Sequence, residues 1–318
     1  MRTGKLSVIL LSYKSGERLK NVRATLDKEL SAANVPYELV IIDDGSGDNS
    51  FQIASALEKE FNNVKAYELS RNYTSHYAIF AGFKMCTGAC ATVIADDEQQ
   101  PYHLLVDMYR EWQKGAKIIF PYRTQRDDPW TSKLFAGLFY KVMSSISDFA
   151  YPPQGIDSFF IDREVVDLIN KSIHPINTTT VTELLRLGYS PVYLPYTRGK
   201  STAAKSRWTF KKKMKLAKDW FFSTSSFPIK LITFLGMSIS LFAFCLIIFY
   251  VYIKLFGNPN YWDTGQQGWV SLVILISFFS GLIILSLGII AEYIWRIYEE
   301  VKNRPGFIIK KKDETRSE

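Results

Sequence analysis

Short apolar segments alternate with segments of helical periodicity through the first 125 residues of the chain. The apolar segments, at residues 6–12, 37–42, 64–69, 91–95 and 117–122, show little alternation of polar and apolar side chains. That pattern is typical of strands buried on both faces. Amphipathic segments at 15–32, 49–61, 75–85 and 101–114 separate them. The alternation predicts an α/β domain with a mostly parallel sheet covered by helices.

The C-terminal third contains two long segments without charge, at residues 231–253 and 264–291. Each exceeds the roughly 20 apolar residues that span a bilayer. Aromatic residues gather at their ends, as in an interfacial belt. Buried core helices are the alternative, but these rarely run so long without a charge. We therefore predict a two-helix transmembrane hairpin with spans at about 231–253 and 269–291.

Basic residues flank both apolar segments, at 205–218 and at 296–312. The positive-inside rule then places the large N-terminal part and both termini in the cytoplasm. The first five residues are polar, and the apolar run after them is too short for a signal peptide. We thus expect a multi-pass membrane protein, with a bacterial inner membrane as its location. The net charge of +8 suits an anionic membrane surface better than nucleic acid.

These patterns divide the chain into four parts. Residues 1–208 form the α/β domain, 209–228 an amphipathic segment lying along the membrane surface, 229–295 the hairpin, and 296–318 a basic cytoplasmic tail. Small residues on the predicted spans, such as Gly236 and Gly281, favour packing of helix on helix. Such packing could occur within one chain or between chains, so a homo-oligomer is one of the alternatives. Three cysteines give no disulfide framework, consistent with a reducing compartment.

Acidic residues crowd at the predicted carboxyl ends of two strands. Asp96, Asp97 and Glu98 follow the strand at 91–95, and Asp43 and Asp44 follow the strand at 37–42. Ligands of open α/β sheets bind at this end, and a divalent cation carrying a phosphate-rich substrate would explain the acids. The alternatives are a polar turn before a helix and an N-terminal helix cap.

The first predicted strand is followed by no phosphate-binding glycine fingerprint. The segment 12–16 reads Ser-Tyr-Lys-Ser-Gly, which fits neither a P-loop nor the dinucleotide motif. This argues against P-loop NTPases and dinucleotide-dependent dehydrogenases.

Taken together, the motifs occur in a specific order on successive strands. They are Leu-Ser-Tyr at 11–13, Asp-Asp-Gly-Ser at 43–46, Leu-Ser-Arg-Asn at 69–72, Asp-x-Gln-x-Pro at 97–101, Gly-x-Asp-x-Phe at 155–159, Ile-Asp-Arg at 161–163, Arg198, and Lys-Ser-Arg-Trp at 205–208. This series resembles the inverting family 2 glycosyltransferases of the GT-A fold. With the membrane hairpin, it is similar to the polyprenyl-phosphate branch, relatives of dolichol-phosphate mannose synthase and of undecaprenyl-phosphate glucosyl- and aminoarabinosyltransferases.

The resemblance implies a binding site for a nucleotide-sugar donor. Asp43 and Asp44 match positions that hold the base and ribose, and Tyr13 matches a residue of the base pocket. Arg71 and Asp96 are further donor-binding candidates.

It also implies Mg²⁺ or Mn²⁺ bound by Asp97 and Gln99 of the family's Asp-x-Asp-x-Gln pattern. The first Asp of that pattern falls on Ala95, and Asp96 could substitute through water or point away.

For the acceptor, the resemblance implies that Asp157 lies near the acceptor phosphate and the reacting sugar carbon, so that Asp157 and Asp97 are the catalytic candidates. Arg123 matches a ligand of the acceptor phosphate. Further candidates for that phosphate are Arg126 and Lys133, which have no clean match, and the basic loop of Arg198, Lys205 and Arg207. The glycine usual before Lys205 is Ala204 here.

The expected reaction is inverting transfer of one sugar from a UDP- or GDP-sugar to undecaprenyl or dolichyl phosphate at the cytoplasmic membrane face. Transfer to another lipid or glycan acceptor is an alternative on the same fold. A catalytically inactive membrane scaffold is another, supported by Ala95. A processive synthase is disfavoured, because Arg207-Trp208 lacks a glutamine three residues before the arginine and two spans cannot form a polysaccharide channel.

Overall fold

A computed structural model describes residues 2–97, 99–124, 156, 158–197, 227–256 and 269–310. The chain divides into a unit formed by Met1–Ser223 with Pro305–Glu318, and a second unit, Thr224–Arg304. In the first unit the strands are β1 (Leu6–Ser12), β2 (Tyr37–Asp43), β3 (Val64–Glu68), β4 (Cys90–Ala95), β5 (Ile118–Arg123), β6 (Phe160–Asp162) and β7 (Val192–Tyr196). Its helices are α1 (Arg18–Ala32), α2 (Ser50–Glu60), α3 (Ser75–Met85), α4 (His103–Gln113), α5 (Arg163–Ser172) and α6 (Thr180–Arg186).

The strands form one seven-stranded sheet in the order β3-β2-β1-β4-β6-β5-β7. Strand β6 is antiparallel to both of its neighbours, while the remaining pairs are parallel. The carboxyl ends of the parallel strands therefore meet at one edge of the sheet. The predicted α/β class and the mostly parallel sheet are confirmed.

Both faces of the sheet are apolar because helices cover both. On β1, Leu6, Val8 and Leu10 pack into the cluster that contains α1, α2 and α4. Ile9, between them, points into the opposite cluster, with α3 and α5. Successive side chains of a strand point to opposite faces, so a strand covered on both faces is mostly apolar at odd and even positions alike.

A buried glutamate ties the sheet together at the opposite edge. Glu38 of β2 accepts hydrogen bonds from the hydroxyl of Ser7 at 2.6 Å and the backbone N–H of Thr87 at 2.6 Å, and pairs with Lys5 at 2.7 Å. Burial alone would raise the pKa of Glu38, but these hydrogen bonds outweigh it and lower the pKa to about 2. The carboxylate thus links β1, β2 and the turn before β4.

The second unit consists of two long apolar helices in contact with each other, α7 (Phe227–Phe256) and α8 (Trp269–Val301). Both predicted spans lie within them. Among the described residues, Phe278–Val301 is long and apolar enough to cross a bilayer, and Ile229–Ile239 is a shorter apolar segment. Many large apolar side chains along both helices are exposed, as a lipid-facing surface requires. The two-span topology remains a prediction.

The predicted limits of the second span and of the C-terminal tail can be compared with the structure. Helix α8 continues to Val301, past the expected end of the second span at 291. Residues from Pro305 onward belong to the sheet-containing unit. Nearly all of the predicted amphipathic segment, 209–228, lies outside the described residues.

We predict that Glu38→Gln lowers the free energy of unfolding at pH 7 by roughly 2 kcal/mol, because Lys5 and the backbone amides of Thr87 and Gly88 lose a charged acceptor. The folded pKa of Glu38 lies below its ordinary value of 4.5, so its stabilising contribution is present above that pH and is lost as the pH falls toward about 2. Denaturant unfolding at several pH values measures this. Glu60→Gln, at an exposed position of α2, is the control. An equal loss in both variants would contradict the prediction.

Candidate active site

The candidate site lies where β1, β2, β3 and β4 end at the carboxyl edge of the sheet. Tyr13 follows β1, Asp43 ends β2 and Asp44 follows it, and Asp96 and Asp97 follow β4. The structure therefore brings these sequence-predicted residues together at one edge. Crevices at this edge are the usual ligand sites of open α/β sheets.

Asp43 is completely buried and holds the turn after β2. Its carboxylate accepts hydrogen bonds from the hydroxyls of Ser12 at 3.0 Å and Ser46 at 2.5 Å, and from the Ser46 N–H at 3.0 Å. The Ser46 hydroxyl also accepts the N–H of Lys14 at 2.9 Å. Asp43 thereby fixes the end of β1, the turn after β2 and, through Ser46, the backbone next to Tyr13.

Asp44 organises the loop after β3. Its two carboxylate oxygens accept the backbone N–H groups of Tyr73 at 2.7 Å and Thr74 at 2.9 Å. Burial raises the pKa of Asp44 to about 6, although these amides and the nearby charge of Arg71 oppose the shift. The Arg71 guanidinium stacks on the Tyr73 ring with 4.1 Å to the ring centroid. We refer to residues 69–74 as the donor-side loop, because the family resemblance makes Arg71 a candidate for binding the donor.

Gly45 lets this loop approach the turn after β2. Its φ of +61° is in the left-handed region, which L side chains adopt at a cost. A Cβ at this position would also overlap backbone atoms of Arg71. The glycine of the Asp-Asp-Gly-Ser motif is therefore required twice, for its backbone angle and for the close approach.

Asp96 is 7% exposed and is paired with a cation from α1. Its carboxylate contacts the guanidinium of Arg18 at 2.5 Å and accepts the hydroxyl of Ser15 at 2.7 Å. The Ser15 hydroxyl in turn accepts the N–H of Tyr13 at 3.1 Å. Asp96 thus joins the end of β4 to the loop between β1 and α1.

Asp97 and Gln99 lie on the turn after β4 and offer oxygen ligands of the kind that Mg²⁺ and Mn²⁺ prefer. The side-chain oxygen of Gln99 is buried and finds no hydrogen-bond donor among the described residues, so it is free to accept a cation. No cluster of three or more His, Cys, Asp or Glu residues occurs in the described part of the chain. One carboxylate and one amide still fit, because Mg²⁺ commonly completes its shell with water and substrate phosphates.

Arg123 ends β5 at the same edge, with β6 between it and the strand that carries the acids. Its backbone pairs with Tyr196 of β7, next to the segment that leads to the predicted basic loop. The other predicted acceptor-side and catalytic residues, Asp157, Arg126, Lys133, Arg198, Lys205 and Arg207, lie outside the described residues. Ser158, which follows Asp157 in sequence, donates its hydroxyl to the carbonyl of Val93 on β4 at 3.1 Å.

Sequence reasoning missed Arg18 and the serines that hold the loops. One signal could have pointed to Arg18: it is a cation in the first turn of α1, where the helix dipole favours negative charge. A basic side chain at that position needs a nearby acid. Ser15 and Ser46 carry no comparable signal, because serines are common in turns for local reasons.

Residues 7–165 match the family described as Glycosyl transferase family 2. This range includes β2 to β6, nearly all of β1 and the acids at the carboxyl edge of the sheet. The chain belongs to this family. This glycosyltransferase is 31% identical over 303 residues to the "Uncharacterized glycosyltransferase YkcC" of Bacillus subtilis, covering 95% of this chain and 90% of the relative. It is 29% identical to the SfII prophage-derived bactoprenol glucosyl transferase of Shigella flexneri, covering 96% of this chain and 98% of that protein.

Among solved structures, the glycosyltransferase is similar to the mannosyltransferase PcManGT from Pyrobaculum calidifontis in complex with GDP-Man and Mn²⁺. The TM-score is 0.47 and the identity 11%, covering 90% of this chain and 88% of the other.

We predict that Gly45→Ala destabilises the glycosyltransferase by roughly 2–3 kcal/mol, from backbone strain plus overlap with Arg71. Gly47→Ala is the matched control, because Gly47 has a φ of +70° but a Cβ there would meet no described atom within 4 Å. The control should cost only about 1 kcal/mol. Equal losses of unfolding free energy in the two variants would show that the approach to Arg71 is unimportant.

We further predict that Arg18 and Asp96 are energetically coupled. Arg18→Met should lower the free energy of unfolding by about 1–2 kcal/mol, less than for a fully buried pair because the Arg18 side chain is 33% exposed. A double-mutant cycle with Asp96→Asn measures the coupling. Strictly additive losses would mean that the pair does not hold the β4 turn in place.

Proposed function

We propose that this glycosyltransferase transfers a single sugar, with inversion, from a UDP- or GDP-sugar to polyprenyl phosphate at the cytoplasmic face of a membrane. The supporting observation is the similarity to a bactoprenol glucosyl transferase over 96% of the chain. That similarity includes the apolar helices α7 and α8 as well as the acids at the sheet edge. A membrane lipid as acceptor accounts for both features in one protein.

The donor is proposed to bind over the ends of β1, β2 and β3. Tyr13 and Arg71 border this region, and the ordered amides that Asp44 holds fix the donor-side loop. With a pKa of about 6, Asp44 is mostly ionised at pH 7 and can accept hydrogen bonds from a ribose hydroxyl or a base N–H. Asp43 contributes indirectly, by fixing the turn after β2, because its carboxylate already accepts hydrogen bonds from Ser12 and Ser46.

Asp97 and Gln99 would hold Mg²⁺ or Mn²⁺ through their side-chain oxygens, with Asp96 beside them. When bound, the ion supplies positive charge that stabilises the departing diphosphate. Asp96 is proposed to act through its pairing with Arg18, which keeps the turn that carries Asp97 in place. This role offers a reason why the chain tolerates Ala95 where the family pattern has an acid.

The acceptor phosphate needs positioning more than activation, because a phosphate monoester is already ionised near neutral pH. Arg123 is proposed to hold it through paired N–H donors, with Arg126, Lys133, Arg198, Lys205 and Arg207 as further cations. A phosphate oxygen forms the bond to the anomeric carbon of the sugar as the bond to the nucleoside diphosphate breaks. Attack from the opposite face inverts that carbon, and Asp157 is the proposed acid near it.

We also propose a multi-pass membrane topology, with the sheet domain and both termini in the cytoplasm. A homo-oligomer is a further expectation. An inactive scaffold would keep the fold without the chemistry, and Ala95 is the feature that favours it. The presence of Asp97 and Gln99 at the positions of the family's metal-binding acid and amide favours the enzyme.

We predict that membranes containing the protein form a labelled polyprenyl-phosphate sugar from undecaprenyl phosphate and a radiolabelled UDP- or GDP-sugar, with Mg²⁺ or Mn²⁺ present. Asp97→Asn should reduce the rate by about 100-fold or more, because the leaving diphosphate loses charge stabilisation. Asp107→Asn, on an exposed part of α4, is the control. Absence of labelled lipid with every common donor would refute the acceptor class, and full activity of Asp97→Asn would remove Asp97 from the metal role.

A further inference from the structure

The segment after the second apolar helix returns to the sheet-containing unit. Residues 305–310, which we call the C-terminal strap, run antiparallel to the end of β3, with Leu69 opposite Ile309. The N–H of Ser70 donates to the carbonyl of Ile308 at 2.9 Å, and the N–H of Lys310 donates to the carbonyl of Glu68 at 2.8 Å. The Lys310 ammonium also pairs with the Glu68 carboxylate at 2.6 Å.

Apolar side chains anchor the strap. Phe307 and Ile309 pack against the core cluster that contains Leu69 and Phe80. The intervening Ile308 is half exposed, as alternation along an extended segment requires. A Cβ at Gly306 would overlap Pro175 and crowd Tyr77, so the strap lies close against the domain where it begins.

The strap contacts the chain where the donor-side loop begins. Strand β3 is at the edge of the sheet and has a strand neighbour, β2, on one side. The N–H of Leu69 donates to Asp43 of β2 at 2.8 Å, whereas the next N–H, that of Ser70, donates to Ile308 of the strap. Successive amides are therefore held from opposite sides, by β2 and by the strap.

From Ser70 the chain passes directly into the residues that shape the donor side. Arg71 follows and stacks on Tyr73, and the N–H groups of Tyr73 and Thr74 donate to Asp44. The hydroxyls of Ser70 and Tyr73 lie 3.0 Å apart, which links the strapped residue to the ring on which Arg71 rests. Without the strap, the backbone of Leu69 and Ser70 would keep, among the described residues, only its hydrogen bond to Asp43 of β2.

We propose that the C-terminal strap is a positioning element for donor binding, with Ile309 and Lys310 as its positioning residues. It holds the donor-side loop so that Arg71 and the amides around Asp44 are set before the nucleotide sugar arrives. Pre-ordering a loop raises affinity because the ordering cost is met before binding. Its role in donor binding rests on the function proposed above, whereas its effect on loop order does not.

The test compares two shortened forms of the full-length protein in membranes. A chain ending at Arg304 lacks the strap, and a chain ending at Lys310 keeps its described contacts and serves as control. Hydrogen–deuterium exchange in peptides covering residues 69–74 should be faster by about tenfold in the shorter chain, the scale of one or two lost backbone hydrogen bonds. The KM for the UDP- or GDP-sugar that supports transfer should rise by a similar factor. The KM for undecaprenyl phosphate and kcat should stay within about twofold of the control, because the strap acts only on the donor side.

A point variant keeps the test decisive if the shorter chain does not fold. Lys310→Pro removes the N–H that donates to Glu68 together with the charge, whereas Lys310→Ala removes only the charge. The proline variant should reproduce the faster exchange and the raised donor KM, and the alanine variant, which keeps the backbone hydrogen bond, should show a smaller rise in both.

Unchanged exchange at 69–74 without the strap, or faster exchange spread evenly over the domain, would overturn the inference. So would an unchanged donor KM alongside faster exchange. If exchange rises at 69–74 but even the full-length protein transfers no sugar from any donor, the proposed function fails while the strap's effect on the loop stands.

Discussion

The candidate site depends on one buried carboxylate, that of Asp43. A carboxylate removed from water must be hydrogen-bonded almost completely, or its burial would cost several kcal/mol. Ser12 and Ser46 provide those bonds, and in doing so they lock the end of β1 to the turn after β2. The same Ser46 hydroxyl accepts the N–H of Lys14 and so also positions the turn that carries Tyr13. The backbone of Asp43 also accepts the N–H of Leu69, where the donor-side loop starts.

The acids at this edge differ in what they do. Asp43 and Asp96 are buried among hydroxyls and a guanidinium and act on the chain itself, whereas Asp44 combines loop amides with a pKa raised to about 6 by burial. Asp97 and Gln99 lie on the turn that these contacts hold. Adjacent carboxylates repel each other unless each has its own partner, so the crowding at this edge favours separate partners for the acids.

Strand β3 lies at one edge of the sheet, and the C-terminal strap pairs with its last residues. An unpaired strand edge exposes backbone donors and acceptors, and proteins usually cover it. Here the cover comes from the far end of the chain, after two long apolar helices, and it sits at the last residues of β3. The strap pairs with the backbone of Glu68 and Ser70, and Ser70 leads directly into Arg71 of the donor-side loop. The fold therefore uses a segment distant in sequence to cover the edge of β3 where the chain leads into the donor-side loop.

The sequence by itself determined the local structure and the family. Apolar periodicity predicted β1 at residues 6–12 and α3 at 75–85 with the observed limits, and the ordered motifs predicted the fold class and the family 2 assignment. Only the tertiary structure decided the antiparallel insertion of β6, the pairing of Arg18 with Asp96 across 78 residues and that of Lys310 with Glu68 across 242. The physical reason is that periodicity reports which faces of a segment are buried, whereas partners distant in sequence are chosen by the order of strands in the sheet.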